Sequence, residues 1–258
     1  MKKAIRIIAI IACLAVIVYE GVHIYLDQKE YTVAENLYET LEAEVMTVTP
    51  QTEDQPGVIN YPVRNIDFEK LLSINPDTTA WLYFPLLDIS YPVVKEQEIN
   101  QYLYTTFEGT RNKAGCLFED VLSDEDFCGM HDIIFGHNMK NGSMFGTLKK
   151  VYQEENKELL EQKPYIYVYT NDYVFEYRIF AYYITTVGSG AYTEVKSAED
   201  YDEFLKFIST HSAYSMPEGL SFEGRPSILT LSTCSGKAGG RQRFVIHAVK
   251  VNYWDRIK

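Results

Sequence analysis

Cysteine, basic charge and metal-binding patterns are all scarce in this chain. Its 258 residues include four cysteines, at positions 13, 116, 128 and 234, which are too few and too irregularly spaced for a disulfide scaffold. No Cys-x-x-Cys or mixed His/Cys spacing indicates a zinc site. Acidic side chains outnumber basic ones by 36 to 24. The resulting net charge of −12 argues against a nucleic-acid partner, which would require a basic face.

The composition is that of a folded protein. Hydrophobic residues make up 46% and charged residues 23%, which excludes disorder along the whole chain. The length is sufficient for one large or two small domains with a real core. The 21 tyrosines and 13 phenylalanines favour β-strands or a recognition groove, because aromatic side chains are enriched in both.

The first 26 residues predict a membrane anchor. Three basic residues within the first six positions precede an apolar run from Ile7 to Tyr19, and a helix over residues 4–26 would be about 35 Å long, enough for a ~30 Å hydrocarbon core. We expect an uncleaved signal-anchor with all later residues on the extracellular face. The alternatives are a cleaved signal peptide, although no convincing cleavage site follows the run, and a buried helix of a cytosolic protein.

The following segment predicts a helix and a linker. Residues 30–45 place apolar side chains on one helical face, which we expect to pack on the domain. Residues 46–64 contain three prolines and no periodicity, and therefore indicate a linker. The apolar face of the helix consists of Ala34, Leu37, Tyr38, Leu41 and Val45.

The rest of the chain alternates short strands with a few helices. The pattern predicts a mostly β fold with some α-helix, built as a closed or nearly closed β-barrel of about eight strands. The predicted strands are 80–84, 89–94, 115–119, 132–135, 165–170, 173–187, 227–233 and 243–251. The predicted helices are 67–74, burying Phe68, Leu71 and Leu72, then 143–153, 154–162 and 198–211.

Cys234 is the strongest candidate for a reactive side chain. It ends the predicted strand Ile228–Cys234, in which alternation places Thr230, Ser232 and Cys234 on the same face. A cysteine where a rigid strand meets a loop is well positioned to act as a nucleophile. The alternative is a buried structural cysteine.

A histidine and an arginine are candidate partners of this thiol. His137 follows another apolar strand between a glycine and an asparagine, which indicates an exposed turn, and a thiol requires a base or a cation to become a thiolate. Arg241 and Arg243 precede the last strand, and either could donate hydrogen bonds to an oxyanion. Strand alternation does not distinguish Arg241 from Arg243, because residues two positions apart point to the same face. The alternative to a role at the thiol is that both arginines are solvated side chains at the start of a strand.

Together these segments resemble class B sortases. The matching motifs are Thr230-Leu-Ser-Thr-Cys234, Phe135-Gly-His-Asn-Met139 and Arg243-Phe-Val-Ile-His-Ala248, and the likeness extends from about residue 66 to the end. The resemblance implies an eight-stranded sortase-type closed β-barrel with N-terminal helices and a helix before the Cys strand. It also implies an anchor at 1–26, a helix and linker at 27–65, and a catalytic domain at 66–258.

The resemblance implies a cysteine transpeptidase. Cys234 would cleave a C-terminal sorting signal of NPxT or PxTG-like type after Thr, and a peptidoglycan amine would resolve the thioacyl enzyme. His137 would be the general acid and base. Arg243 would steady the oxyanion, and it is preferred over Arg241 because the family's arginine directly precedes the apolar strand. The partners would be surface proteins that carry such signals, a peptidoglycan precursor or cross-bridge, and the cytoplasmic membrane.

The likeness extends to substrate contacts. Ser232, Tyr192 and Leu103 resemble substrate-binding residues of the family, whereas Phe135 stands where many class B members have tyrosine. We expect no cofactor and no metal. Two rival functions remain: a cysteine peptidase that uses water as the acceptor, and an anchored β-barrel that binds a ligand without catalysis.

Overall fold

A single long helix begins the chain. The computed structural model describes residues 2–48, 61–124, 126–236 and 239–256, and its first element is α1, Lys2–Val45. The helix includes both the predicted anchor and the predicted amphipathic segment. An apolar window of this helix has a mean hydropathy of 2.4 and is not buried, so the helix is long and apolar enough to cross a membrane. Ala34, Tyr38, Leu41 and Val45 are buried, as expected for the docked half.

A two-stranded sheet follows at the base of this helix. β1 (Met46–Val48) pairs antiparallel with β2 (Arg64–Ile66). The linker predicted over 46–64 therefore has strands at its two ends, because the two segments satisfy each other's backbone groups. Residues 49–60 of that linker lie outside the described residues.

The short helix α2, Phe68–Ile74, agrees with the sequence except at one side chain. The Asp67 carboxylate caps it by accepting the Lys70 N–H at 2.9 Å. Phe68 and Leu71, three residues apart, are buried. The prediction for Leu72 is wrong, because it is 41% exposed on the flank of a helix that buries only one stripe.

Eight strands close into a barrel in the order β10-β8-β7-β3-β4-β5-β6-β9. The pairs β4–β5 and β6–β9 are parallel and the others are antiparallel. This confirms the predicted eight-stranded closed barrel. The strands are β3 Thr78–Phe84, β4 Ile89–Lys95, β5 Leu117–Glu119, β6 His131–Phe135, β7 Tyr165–Tyr169, β8 Tyr173–Thr186, β9 Ile228–Cys234 and β10 Gln242–Asp255.

One of the helices predicted between the strands is not formed. The helix predicted over 143–153 is only a 3-10 turn at Leu148–Tyr152, since Met144 has a φ of 53°, which no right-handed helix accommodates. The two other helices agree with the prediction: α3 at Glu154–Gln162 and α4 at Ala198–His211. A capping box of Ser197 and Asp200 fixes the start of α4.

The strands β9 and β10 separate two hydrophobic clusters. Leu229, Leu231, Phe244 and Ile246 belong to the main core with the other barrel strands. The residues of opposite parity face a smaller cluster that contains the buried side of α4. Thr230, Ser232 and Cys234 share this second parity, so the face of β9 that carries Cys234 is the outer face of the barrel wall. Residues 237 and 238, between these strands, lie outside the described residues.

Candidate active site

The end of the β9–β10 ladder brings Cys234 and Arg243 together. Arg243 is directly opposite Cys234 in the antiparallel register, and the pairing continues from there to Val249 and Ile228. Both side chains are half-buried. The Arg243 Nη1 donates to the carbonyl oxygens of Gly240 at 2.8 Å and Gln242 at 2.9 Å, which fixes the guanidinium at the strand's start.

The strand register also distinguishes Arg241 from Arg243, which strand alternation in the sequence could not do. Arg241 precedes the first residue of β10 and is exposed, and its Nη2 donates to the Val187 carbonyl at 3.4 Å. Arg243 alone of the two has Cys234 as its cross-strand neighbour. The sheet therefore favours Arg243 as the partner of the thiol.

His137 lies two residues beyond β6, on a turn supported by a second loop. Its Nε2 is 2.6 Å from the carbonyl oxygen of Leu103, which can only accept, so the neutral ring carries its proton on Nε2 and leaves Nδ1 free to take one. The ring packs against Tyr104 with centroids 5.4 Å apart. Burial lowers the pKa of His137, opposed by the Leu103 carbonyl, and so favours the neutral base.

Hydrogen bonds on both sides of His137 attach its turn to the Cys strand. The Gly136 N–H donates to the Ser232 carbonyl at 3.1 Å, and the Thr233 hydroxyl donates to the Gly136 carbonyl at 2.8 Å. On the other side, the Asn138 Nδ2 donates to the Cys234 carbonyl at 2.8 Å. The structure thus places the His137 turn beside the Cys234 end of β9. Sequence reasoning used Asn138 only as a turn signal and missed this bond.

Two of the predicted substrate-binding residues lie together beside Cys234. Tyr192, in a 3-10 turn after β8, has its hydroxyl 2.9 Å from Ser232 Oγ, and its ring stacks on Phe135 at 6.0 Å. Burial raises the pKa of Tyr192, and Cys234 adds to this while Arg243 opposes it. Tyr192 is therefore within electrostatic reach of both Cys234 and Arg243. Its hydroxyl contacts the face of β9 that carries Cys234.

Leu103 contributes to the site through its backbone. Its side chain is half-buried and packs against the main core, while its carbonyl oxygen accepts from His137. A role of the Leu103 side chain in substrate contact stays a prediction. No sequence signal could have revealed the role of this carbonyl, because the backbone of every residue type carries the same C=O acceptor.

A buried chain of hydrogen bonds runs beneath α4 and supports the Tyr192 turn. Because the Thr193 carbonyl accepts from His131 Nδ1 (2.8 Å), the direction of every later bond is fixed. The Thr230 hydroxyl donates to His131 Nε2 and accepts from His247 Nδ1, both at 2.8 Å, and the Tyr183 hydroxyl donates to His247 Nε2 at 2.9 Å. Burial lowers the pKa of His131 to about 4, so both histidine rings are neutral.

The three other cysteines differ from Cys234 in their exposure. All four thiols are free; Cys13 and Cys128 are exposed and Cys116 is buried. Within the part of the chain that the structure describes, no three His, Cys, Asp or Glu side chains are grouped to hold a metal ion. The groups available for chemistry at β9 are thus a thiol, an imidazole, a guanidinium and hydroxyls.

Comparison with known proteins shows the family of this chain. A model of the Sortase domain family matches residues 82–251. The chain is 30% identical to Sortase B of Listeria monocytogenes over 177 residues, which cover 68% of this chain and 70% of that protein. It is 24% identical to Sortase B of Staphylococcus aureus over 255 residues, 97% of this chain and 98% of that protein.

Solved structures extend the similarity to the fold. The structure of sortase B from B. anthracis aligns with a TM-score of 0.70 and 28% identity, covering 86% of this chain and 98% of that one. Sortase B from Clostridium perfringens aligns with a TM-score of 0.65 and 26% identity, covering 72% and 100%. With a matching family model over most of the chain and the barrel of its relatives, this chain belongs to the sortase family of cysteine transpeptidases, and within it to class B.

Proposed function

We propose that the chain is a membrane-anchored sortase that cleaves a C-terminal sorting signal after its threonine and transfers the surface protein to a peptidoglycan amine. The observation that carries this proposal is the convergence at the end of β9. Cys234 has Arg243 as its cross-strand neighbour, and Asn138 ties the turn of His137 to the Cys234 carbonyl. A nucleophile, an acid–base group and an oxyanion donor are the three parts that acyl transfer requires.

In the acylation step, Nδ1 of the neutral His137 takes the proton of the Cys234 thiol, and the resulting thiolate attacks the carbonyl carbon of the threonine. The Arg243 guanidinium donates hydrogen bonds to the oxyanion that forms on the carbonyl oxygen. The C–N bond then breaks, and His137 gives its proton to the leaving amine, which departs with the C-terminal part of the signal. The product is a thioester between Cys234 and the surface protein.

In the second step, an amine of a peptidoglycan precursor or cross-bridge attacks the thioester carbon. His137, now neutral, takes a proton from the attacking amine, and the C–S bond breaks to restore the Cys234 thiolate. An amide bond joins the surface protein to the cell wall. The lowered pKa of His137 supports this alternation, because the neutral ring is available to accept the proton.

The same face of β9 supports a substrate site. Ser232, Tyr192 and the side chain of Leu103 would contact the sorting signal, which is of NPxT or PxTG-like type. Phe135 stacks on Tyr192 and has no hydroxyl, so the Tyr192 hydroxyl would be the polar group that this aromatic pair offers to the substrate. Residues 1–26 of α1 would anchor the enzyme in the membrane, residues 27–65 would connect the anchor to the barrel, and residues 66–258 would form the catalytic domain outside the cell.

The test uses the full chain in detergent micelles with labelled sorting peptides of both types and an added amine. We expect ligated product from one or both peptides, and complete loss of cleavage and ligation in Cys234→Ala. Cys128→Ala, which removes an exposed thiol, is the matched control and should keep full activity. Activity retained in Cys234→Ala would overturn the proposal.

The same assay separates the rival functions. A peptidase that uses water would cleave the peptide without forming the ligated product when the amine is added. A binding module without catalysis would leave both peptides intact, and its Cys234 would fail to react with a thiol-directed probe in the Cys13→Ala, Cys128→Ala background. Either result would replace transpeptidation as the function of this site.

A further inference from the structure

The ring of His137 is held by the loop over residues 102–116, which connects β4 to β5. The Leu103 carbonyl accepts from His137 Nε2 at 2.6 Å, and the Tyr104 ring packs against the imidazole at a tilt of 38°. The Arg111 guanidinium in turn lies 5.9 Å from the centroid of the Tyr104 ring. The orientation and tautomer of His137 therefore depend on where this loop places one carbonyl group.

The two arms of the 102–116 loop are bonded closely to each other. The Asn112 N–H donates to the Tyr104 carbonyl at 3.0 Å, and the Cys116 N–H donates to the Tyr102 carbonyl at 3.2 Å. Gly115 has a φ of +60°, and a Cβ there would lie 2.5 Å from the Leu103 carbonyl oxygen. Because the arms approach so closely, a shift of the Gly115 arm moves the carbonyl that holds His137.

One hydroxyl of the N-terminal helix joins both arms. The Tyr38 hydroxyl donates to the Gly115 carbonyl at 2.6 Å and accepts the Phe107 N–H at 3.2 Å. Tyr38 is 5% exposed, so neither backbone group can bond water in its place without rearrangement. This contact joins residues that are 77 positions apart in the sequence.

Nearer the apolar half of α1, two further contacts attach the same loop. The Asn112 Nδ2 donates to the Glu30 carbonyl at 3.1 Å. The Lys113 ammonium pairs with Asp27 and with Glu30, the latter at 3.1 Å. The loop is thus fixed along about three turns of α1, from Asp27 to Tyr38, immediately after the segment predicted to anchor the protein.

We propose that α1 orients the imidazole of His137 through the 102–116 loop, with Tyr38 as a positioning residue of the reaction. Tyr38 touches neither His137 nor Cys234; it acts by fixing the loop that presents the Leu103 carbonyl. The inference rests on the proposed function, since it takes His137 as the acid–base group. It adds that the helix entering the membrane is part of the catalytic support, so that docking of α1 and competence of His137 are linked.

The test replaces Tyr38 by phenylalanine in the full chain in micelles. Tyr38→Phe keeps the ring in the core and removes only the hydroxyl. We expect kcat for ligation to fall by about tenfold, the size of effect that loss of a buried hydrogen bond produces, with KM for the sorting peptide little changed. Tyr31→Phe is the matched control and should behave as the parent, because Tyr31 packs against the same core from the same helix, whereas the hydroxyl that joins the two arms of the loop is that of Tyr38.

A spectroscopic measurement separates positioning from general destabilisation. With 15N-labelled histidine and His137 assigned by His137→Gln, the parent should show the Nε2–H tautomer, and Tyr38→Phe should show a mixture of tautomers. An unchanged His137 signal in Tyr38→Phe would overturn the proposal, whether or not activity falls. The tautomer of His137 is measured without turnover, so it can be interpreted even if the proposed function is wrong. Inactivity of the parent protein would contradict the proposed function and leave the proposal about Tyr38 to be decided by the tautomer.

A second variant covers failure of Tyr38→Phe to fold. Lys113→Glu, at a half-exposed side chain, places a third carboxylate beside Asp27 and Glu30 and pushes the loop away from α1 by repulsion. We expect kcat to fall by about threefold and the His137 tautomers to mix, with a smaller effect at high salt. Lys206→Glu, on the exposed side of α4, is its control. Equal behaviour of the two charge reversals would overturn the proposal.

Discussion

The two sides of the site are held by different kinds of structure. Cys234 and Arg243 are neighbours in a continuous antiparallel ladder whose other face belongs to the main core. Their relation is set by strand register, which is strongly specified because a slip of one residue would turn every core side chain outward. The thiol and the guanidinium thus depend on the barrel itself.

His137 depends instead on contacts between segments that are distant in sequence. Its turn is attached to β9 by Asn138, and its ring by a carbonyl from the 102–116 loop. That loop is attached to α1 by Tyr38. Cys234, which is fixed by the barrel, and His137, which is fixed by loops and a helix, can be disturbed separately, and the following predictions do so.

The largest effect is expected on the ladder side, from Arg243→Lys. Lysine keeps the charge but loses the planar fork of donors. If Arg243 donates to the oxyanion, kcat for ligation should fall by about 10²–10³-fold, the usual cost of one such donor. Arg241→Lys is the matched control and should keep near-parental kinetics. Equal losses in the two variants would contradict the assignment of Arg243 from strand register.

The next effect concerns the buried chain beneath α4, measured as stability against pH. The pKa of His131 is about 4 in the folded protein against 6.5 in the unfolded chain, so the unfolded state binds the extra proton as pH falls between these values. The neutral His131 therefore costs stability at low pH, by about 3 kcal/mol at pH 4 relative to pH 7.

His131→Gln should remove this loss. The free energy of unfolding of the variant minus that of the parent should rise by about 3 kcal/mol between pH 7 and pH 4, as measured by urea titration. Taking the difference cancels the other titrating groups, including Asp132, whose pKa is raised to about 6 by burial. A constant difference for His131→Gln would be inconsistent with a buried neutral ring.

The smallest effect is expected where the two sides meet, from Asn138→Ala. The variant loses the bond from the His137 turn to the Cys234 carbonyl, and kcat should fall by about fivefold to tenfold, equivalent to one hydrogen bond of roughly 1 kcal/mol. Asn141→Ala is the matched control, since its exposed side chain bonds to Ser143 in the same turn. An equal fall in both variants would mean that the turn, and not its bond to β9, determines the rate.

Most of the barrel was predictable because its signals are local. Alternation and β-branched or aromatic runs predicted all eight barrel strands, and spacing predicted α4 from Ala198 to His211. The failures occurred where backbone geometry overrides side-chain spacing. Met144 interrupts a helical pattern with a positive φ, and Leu72 lies on the exposed flank of a helix of seven residues.

The amino-acid sequence by itself determined the parts of the site: the strand that ends at Cys234, the turn at His137 and the strand that begins near Arg243. These follow from local periodicity and from motifs that resemble the family. Only the tertiary structure decided how the parts are joined. It selected Arg243 by register, assigned the Leu103 carbonyl to His137, and brought Tyr38 to Gly115. The physical reason is that backbone carbonyls and long-range hydrogen bonds leave no trace in residue type, since any chain segment can supply them.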